Sequence, residues 1–140
     1  MNLSVEDYKN LRRDSRWERD LARKLRQLPE KDRLEFLLEF LSVNQLVGLK
    51  LARNCLSDRK SFETLLERGL READASTIRY WLDSVVPRMG FPRVVRRLRN
   101  YSQDQAYRAG VKKARYWLTS FSKEPGYTAA KADLEELLQD

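Results

Sequence analysis

The sequence predicts an all-α protein. Apolar residues recur at helical spacing along most of the chain, and strand-like alternation is nowhere sustained. Breakers are few, five Gly and four Pro in 140 residues, and the prolines fall between the periodic segments. This punctuation divides the chain into seven or eight helices.

A short turn or helix near Val5–Leu11 comes first. Ser15 with Glu18 reads as a capping box, opening a helix whose apolar positions are Trp17, Leu21, Leu25 and Leu28. Pro29 suits the first turn of a second helix, carrying Leu34, Leu37, Leu38 and Leu41. Asn44 caps a third, with Leu46, Val47, Leu49, Leu51, Cys55 and Leu56, whose apolar surroundings predict that it is the most buried. Asp58 or Ser61 begins the fourth, with Phe62, Leu65 and Leu66 inward and Gly69 near its end. Asp74 or Ser76 opens the fifth, which bears Ile78, Trp81, Leu82 and Val85 and stops at Pro87. The Gly90-Phe91-Pro92 turn starts the sixth, with Val94, Val95, Leu98 and Tyr101. Ser102 with Gln105 forms a second capping box ahead of a seventh helix holding Tyr107, Val111, Ala114, Leu118 and Phe121. The Pro125-Gly126 break separates a last amphipathic segment with Leu134, Leu137 and Leu138. Such short connections imply antiparallel packing of successive helices.

An offset of about 30 residues brings Leu21, Leu51, Trp81 and Val111 into one column. At slightly shorter offsets Leu34, Phe62 and Phe91 match, as do Leu37, Leu65 and Val94. One unit of the pattern is a helix, a turn and a second helix, which buries its apolar face only when neighbours stack on it. A non-repetitive helical bundle shares much of this periodicity. Over Ser15–Phe121 the pattern resembles short HEAT-like α-α repeats, with fragments of the usual turn-plus-helix signature at Asp74–Arg79 and Asp104–Ala109. The resemblance implies a right-handed stack of antiparallel helix pairs, an α-solenoid. On that reading 1–140 is a single domain: 1–14 an N-terminal extension, 15–121 the repeats, and 122–140 an acidic segment that caps the last repeat or pairs with a basic face of another copy.

Twenty-eight Lys and Arg against 21 Asp and Glu give a net charge of +7, with no His and one Cys. The missing His removes Ser-His-Asp and Cys-His nucleophile pairs and His-ligated zinc; one cysteine excludes an internal disulfide. Cys55 lies on an apolar helix and reads as a core residue. Glu35 with Glu39 and Glu63 with Glu67 place two carboxylates on one helix face, a pattern expected at solvent-exposed surfaces. No Gly-rich phosphate loop, EF-hand loop or metal-ligand spacing occurs, so neither a cofactor, a metal nor a catalytic residue is expected. Glu6 and Asp7 interrupt the start where a signal peptide needs an apolar run. Runs such as Phe36-Leu37-Leu38 fall far short of the roughly 20 residues a membrane span requires, and a cytoplasmic protein is expected.

Charge is strongly segregated. Residues 87–123 hold ten basic residues and one acid, and residues 9–26 hold eight basic residues and three acids, whereas 124–140 carries a net −4. Arg12, Arg16, Arg19, Arg23 and Arg26 recur at spacings that align them on one helix face. Arg93, Arg96 and Arg97 form a second stripe opposite Val94, Val95 and Leu98, and Arg108, Lys112 and Arg115 a third opposite Ala114 and Leu118. Trp81, Tyr107 and Phe121 belong to apolar faces; Tyr80 and Tyr116 point closer to the polar side, where with Arg115 they offer a stacking surface. The expectation is a non-catalytic interaction scaffold that docks an acidic protein surface through Arg16, Arg19, Arg23, Arg26, Arg93, Arg96, Arg97, Arg108, Lys112 and Arg115. The alternative is nucleic-acid binding through the same residues. Because some HEAT-like proteins are DNA-binding glycosylases, the resemblance leaves a repair-related role open.

Overall fold

The structure, a computed structural model, describes residues 3–139. It contains α1 (Ser15–Arg26), α2 (Glu30–Phe40), α3 (Gln45–Cys55), α4 (Arg59–Glu72), α5 (Ile78–Met89), α6 (Phe91–Tyr101), α7 (Arg108–Arg115) and α8 (Lys131–Gln139). Single 3₁₀ turns occupy Val5–Tyr8 and Leu118–Phe121, and no strand occurs among the described residues. The protein is all-α, as the periodicity requires. No described helix is long and apolar enough to cross a membrane. The chain divides into two compact units, the first ending at Ser61 and the second beginning at Phe62, within α4.

In the first unit α3 packs on both α1 and α2. Leu21, Leu25, Leu37, Phe40, Val47 and Ala52 have no accessible surface. At one end Phe36 stacks on Phe40 at 5.9 Å, Tyr8 meets Phe36 edge-on at 6.4 Å, and Trp17 lies 5.7 Å from Tyr8. The other end is tied by Arg33, whose guanidinium donates to the carbonyls of Leu28, Arg26 and Cys55 at 2.7, 2.7 and 2.9 Å. It thereby satisfies acceptors at the C-terminal ends of α1 and α3.

The start of α1 differs by one residue from the expected Ser15 box. Asp14 is the cap, its carboxylate accepting from the Arg16 amide at 2.7 Å, while Glu18 accepts from the Asp14 amide at 3.3 Å. A carboxylate outcompetes a hydroxyl for the helix amides, and Asp14 immediately precedes Ser15. Glu18 is only 5% exposed and is also gripped by Arg13 and Lys50. Its burial works to raise its pKa, but the hydrogen bonds and charges of Arg13 and Lys50 outweigh this and hold it low.

Asn44 caps α3 as expected, accepting from the Val47 amide at 3.2 Å. Leu46, expected inward, is 49% exposed because it occupies the first turn on the side away from α1 and α2. Cys55 is buried and its thiol is pushed up by that burial, in keeping with a core role.

In the second unit α5 packs on α6 and α7, and α6 also contacts α7 and α8. Its core includes Phe62, Leu65, Leu66, Ile78, Leu82 and Val94, all without accessible surface. The expectation that the third helix is the most buried does not hold: α5 buries seven of its 12 residues and α3 six of its 11. Helix α5 also runs past Pro87 to Met89. A proline near a helix end removes only one amide, and the real terminator is Gly90, whose φ of 89° no other residue adopts cheaply.

The Ser102 box does not form. Ser102 donates its hydroxyl to the Arg99 carbonyl at 2.6 Å, and Asp104 accepts from the Ala106 amide at 2.9 Å in the turn before α7, which itself starts after Tyr107 without a side-chain cap. Helix α7 is shorter than expected, and Leu118 and Phe121 lie in the following 3₁₀ turn. Tyr107 is half-buried against Tyr101, with ring centroids 4.7 Å apart, rather than fully in the core.

The acidic tail folds back within this unit. Tyr127 packs 5.0 Å from Phe91, and α8 seats Leu134 and Leu137 in the core beside α6; Leu138 is 39% exposed. Truncation after Phe121 removes these contacts, so a drop in the melting temperature of well over 5 °C is expected from losing several kcal/mol of apolar burial. An unchanged melting curve would show that α8 contributes nothing to the second unit.

Candidate anion-binding groove

Burying Val94, Val95 and Leu98 turns the opposite face of α6 outward, with Arg96 and Arg99 one turn apart. On α7, burial of Gly110, Val111 and Ala114 leaves Arg108 and Lys112 exposed and Arg115 half-buried. The α6–α7 connection and α8 complete the walls. Between them lies an open hollow of about 560 Å³, lined by Arg96, Arg99, Asn100, Ser102, Gln103 and Glu136. A second hollow of about 260 Å³ shares Ser102 and Gln103 and adds Arg108, Val111, Lys112, Arg115 and Leu137.

The two hollows form one groove, because they share part of their lining. Five cationic side chains border it and Glu136 is the one carboxylate among its lining residues. Arg96, Arg108 and Lys112 face no carboxylate within ion-pair distance among the described residues. Arg99 forms ion pairs with both Asp133 and Glu136 of α8. Arg115 donates to the Leu137 carbonyl at 3.4 Å, and Arg108 to the Ser102 carbonyl at 3.4 Å. Concave walls in which one sign of charge predominates concentrate the field, so with Arg96, Arg108 and Lys112 free of ion pairs among the described residues the groove is suited to an anionic ligand.

Of the expected anion-binding residues, Arg96, Arg108, Lys112 and Arg115 meet in this groove. Arg97 does not: it is turned onto α4, where it pairs with Glu63 at 3.0 Å, and that carboxylate raises its pKa. One turn on, the Tyr101 hydroxyl donates to Glu67 at 2.6 Å, and burial, followed by that hydrogen bond and then the Glu67 charge, pushes its pKa up. Glu63 and Glu67 are therefore half-buried partners of α6 rather than solvent-exposed acids. Arg93 is half-buried and lines neither hollow. Arg16, Arg19, Arg23 and Arg26 lie on the exposed face of α1 in the first unit, while Arg12 precedes the helix.

Tyr80 and Tyr116 are 46% and 76% exposed, as their polar-side positions suggest. Tyr116 meets Trp117 edge-on at 5.0 Å, and Arg79 lies over the Trp117 ring at 5.4 Å. Trp117 is further anchored by donating its indole N–H to the Ala75 carbonyl at 3.3 Å.

Arg99 and Glu136 were absent from the sequence-based candidates. Arg99 falls three residues after Arg96, a spacing that puts both on one helix face, so that signal was present. Glu136 had no local signal, because only the return of α8 to α6 brings it there. No family model matches the chain, and no curated protein or solved structure matches it either.

Proposed function

We propose that this protein is a non-catalytic interaction scaffold that binds an acidic helical segment of another protein in the α6–α7–α8 groove. The observation that carries the reading is the convergence of Arg96, Arg99, Arg108, Lys112 and Arg115 on adjoining hollows with one lining carboxylate. An acidic protein segment is favoured over a bare phosphate by α8 itself, a helix whose Asp133 and Glu136 already satisfy Arg99. Val111 and Leu137 add apolar floor to the second hollow, which suits an amphipathic ligand.

A HEAT-like α-solenoid is the architecture we propose for the scaffold. Support comes from helix starts at Ser15, Gln45, Ile78 and Arg108, spaced close to the repeat interval, and from packing of α1 on α3 and of α5 on α7. The acidic α8 then serves as the terminal cap of the second unit, lying on α6.

Isothermal titration of the full chain with a synthetic amphipathic Glu/Leu peptide tests the proposal. Arg96→Glu/Arg108→Glu/Lys112→Glu is expected to weaken binding by about 100-fold at low salt, since three exposed cations become repulsive. Equal affinity for wild type and variant would refute the groove. If the same variant instead loses binding to nucleic acid and wild type ignores the peptide, the nucleic-acid alternative replaces it.

A further inference from the structure

We propose that the arginine face of α1 is a separate binding surface for the phosphate backbone of duplex nucleic acid. It belongs to the first unit and shares no residue with the groove. Arg16, Arg19, Arg23 and Arg26 are all exposed and fall within a helical arc of roughly 80°, away from buried Leu21, Ala22 and Leu25. From Arg16 to Arg26 the helix rises about 15 Å, which spans four or five phosphates of one duplex strand at about 3.4 Å each along the axis.

These guanidinium groups are poorly neutralised. The Arg16 side chain has no hydrogen-bond or ion-pair partner among the described residues. Arg19 donates to the Ser15 carbonyl of its own helix at 3.2 Å, and Arg26 to the Asn54 carbonyl at 3.4 Å. Arg23 pairs with Asp20, but that carboxylate is shared with Lys24 at 3.0 Å. The neighbouring Glu18 is buried and held by Arg13 and Lys50, and Asp14 is committed to capping the helix. Four arginines therefore face solvent with one shared acid among them.

Two features of α1 narrow the partner. Its apolar residues are all buried or half-buried in the unit's own core, so no greasy face remains to enter a bilayer. Trp17, its one aromatic, is packed near Tyr8 and Phe40 and donates its indole N–H to the Arg12 carbonyl at 2.7 Å. No ring is left on which the unpaired bases of a single strand would stack. What remains is a straight row of guanidinium groups, able to pair with phosphates irrespective of sequence.

The test is fluorescence anisotropy of the full chain with a short labelled DNA duplex of mixed sequence at several salt concentrations. Wild type is expected to bind with steep salt dependence, and Arg16→Gln/Arg19→Gln/Arg23→Gln to lower the slope of log K against log salt by about 3. At low salt the same variant should bind at least about tenfold more weakly, with an unchanged circular-dichroism melt. The groove variant Arg96→Glu/Arg108→Glu/Lys112→Glu should retain the wild-type salt slope. The proposal is overturned if the α1 variant binds duplex as wild type does, or if a single strand of equal length binds as tightly. Capture of phosphatidylserine vesicles without duplex binding would overturn it as well.

Discussion

Gly110→Ala is expected to unfold the second unit or to cost it about 3 kcal/mol or more, the upper range for forcing atoms into a packed site. A Cβ at Gly110 would stand 1.9 Å from the Leu70 carbonyl oxygen and 2.6 Å from its carbon. Both are backbone atoms near the end of α4, and a rotamer change cannot move them. Either α7 lifts off α4 or the Leu70 peptide shifts, and each exposes core around Val111 and Ala114. Urea unfolding of the full chain measures the loss. Ala109→Gly, at an exposed position in the same helix, is the control and should cost only about 1 kcal/mol. Should Gly110→Ala cost no more than that control, the close approach of α7 to Leu70 would be wrong.

Glu30→Ala is expected to destabilise the first unit by about 2–3 kcal/mol at neutral pH, since it removes several charge-assisted hydrogen bonds at once. The Glu30 carboxylate accepts from the Ser57 and Asp58 amides at 3.1 Å each and from the Ser61 hydroxyl at 2.8 Å. It also accepts from the Ser57 hydroxyl at 3.2 Å. Partial burial works to raise its pKa, but the Ser61, Asp58 and Ser57 hydrogen bonds prevail and hold it below the ordinary 4.5. A carboxyl with a lowered folded pKa stabilises fully above its unfolded pKa and loses that contribution as pH falls through the folded value. The gap between wild type and Glu30→Ala should therefore be constant near pH 7 and shrink below about pH 4.5. A gap that persists unchanged into strong acid would mean that the ionised carboxylate is not what holds Ser57, Asp58 and Ser61.

The helices were legible because their evidence is local. Leu21 and Leu25, or Val94, Val95 and Leu98, reveal a buried face through spacing alone, and Asn44 announces the start of α3 with one side chain. Errors arose where two neighbouring residues compete for one role. Asp14 displaced Ser15 because a carboxylate is the stronger acceptor, whereas α7 starts after Tyr107 with no side-chain cap at all. Pro87 misled for another reason: in a last turn its missing amide costs little, so Gly90 decides where α5 ends.

The basic groove was only half legible. Charge segregation pointed to residues 87–123, but helical geometry could not say which arginines stay free. Arg96 and Arg97 are neighbours in sequence, yet one faces the groove and the other pairs with Glu63. The sequence by itself determined an all-α chain, the approximate limits of its helices and the regions where positive charge accumulates. Only the tertiary structure decided which of those charges are neutralised, because their carboxylate partners lie 34 residues away at Glu63 for Arg97 and at Asp133 for Arg99. Helical periodicity orients a side chain on its own helix, whereas the long-range packing of α6 against α4 and α8 decides which charge it meets.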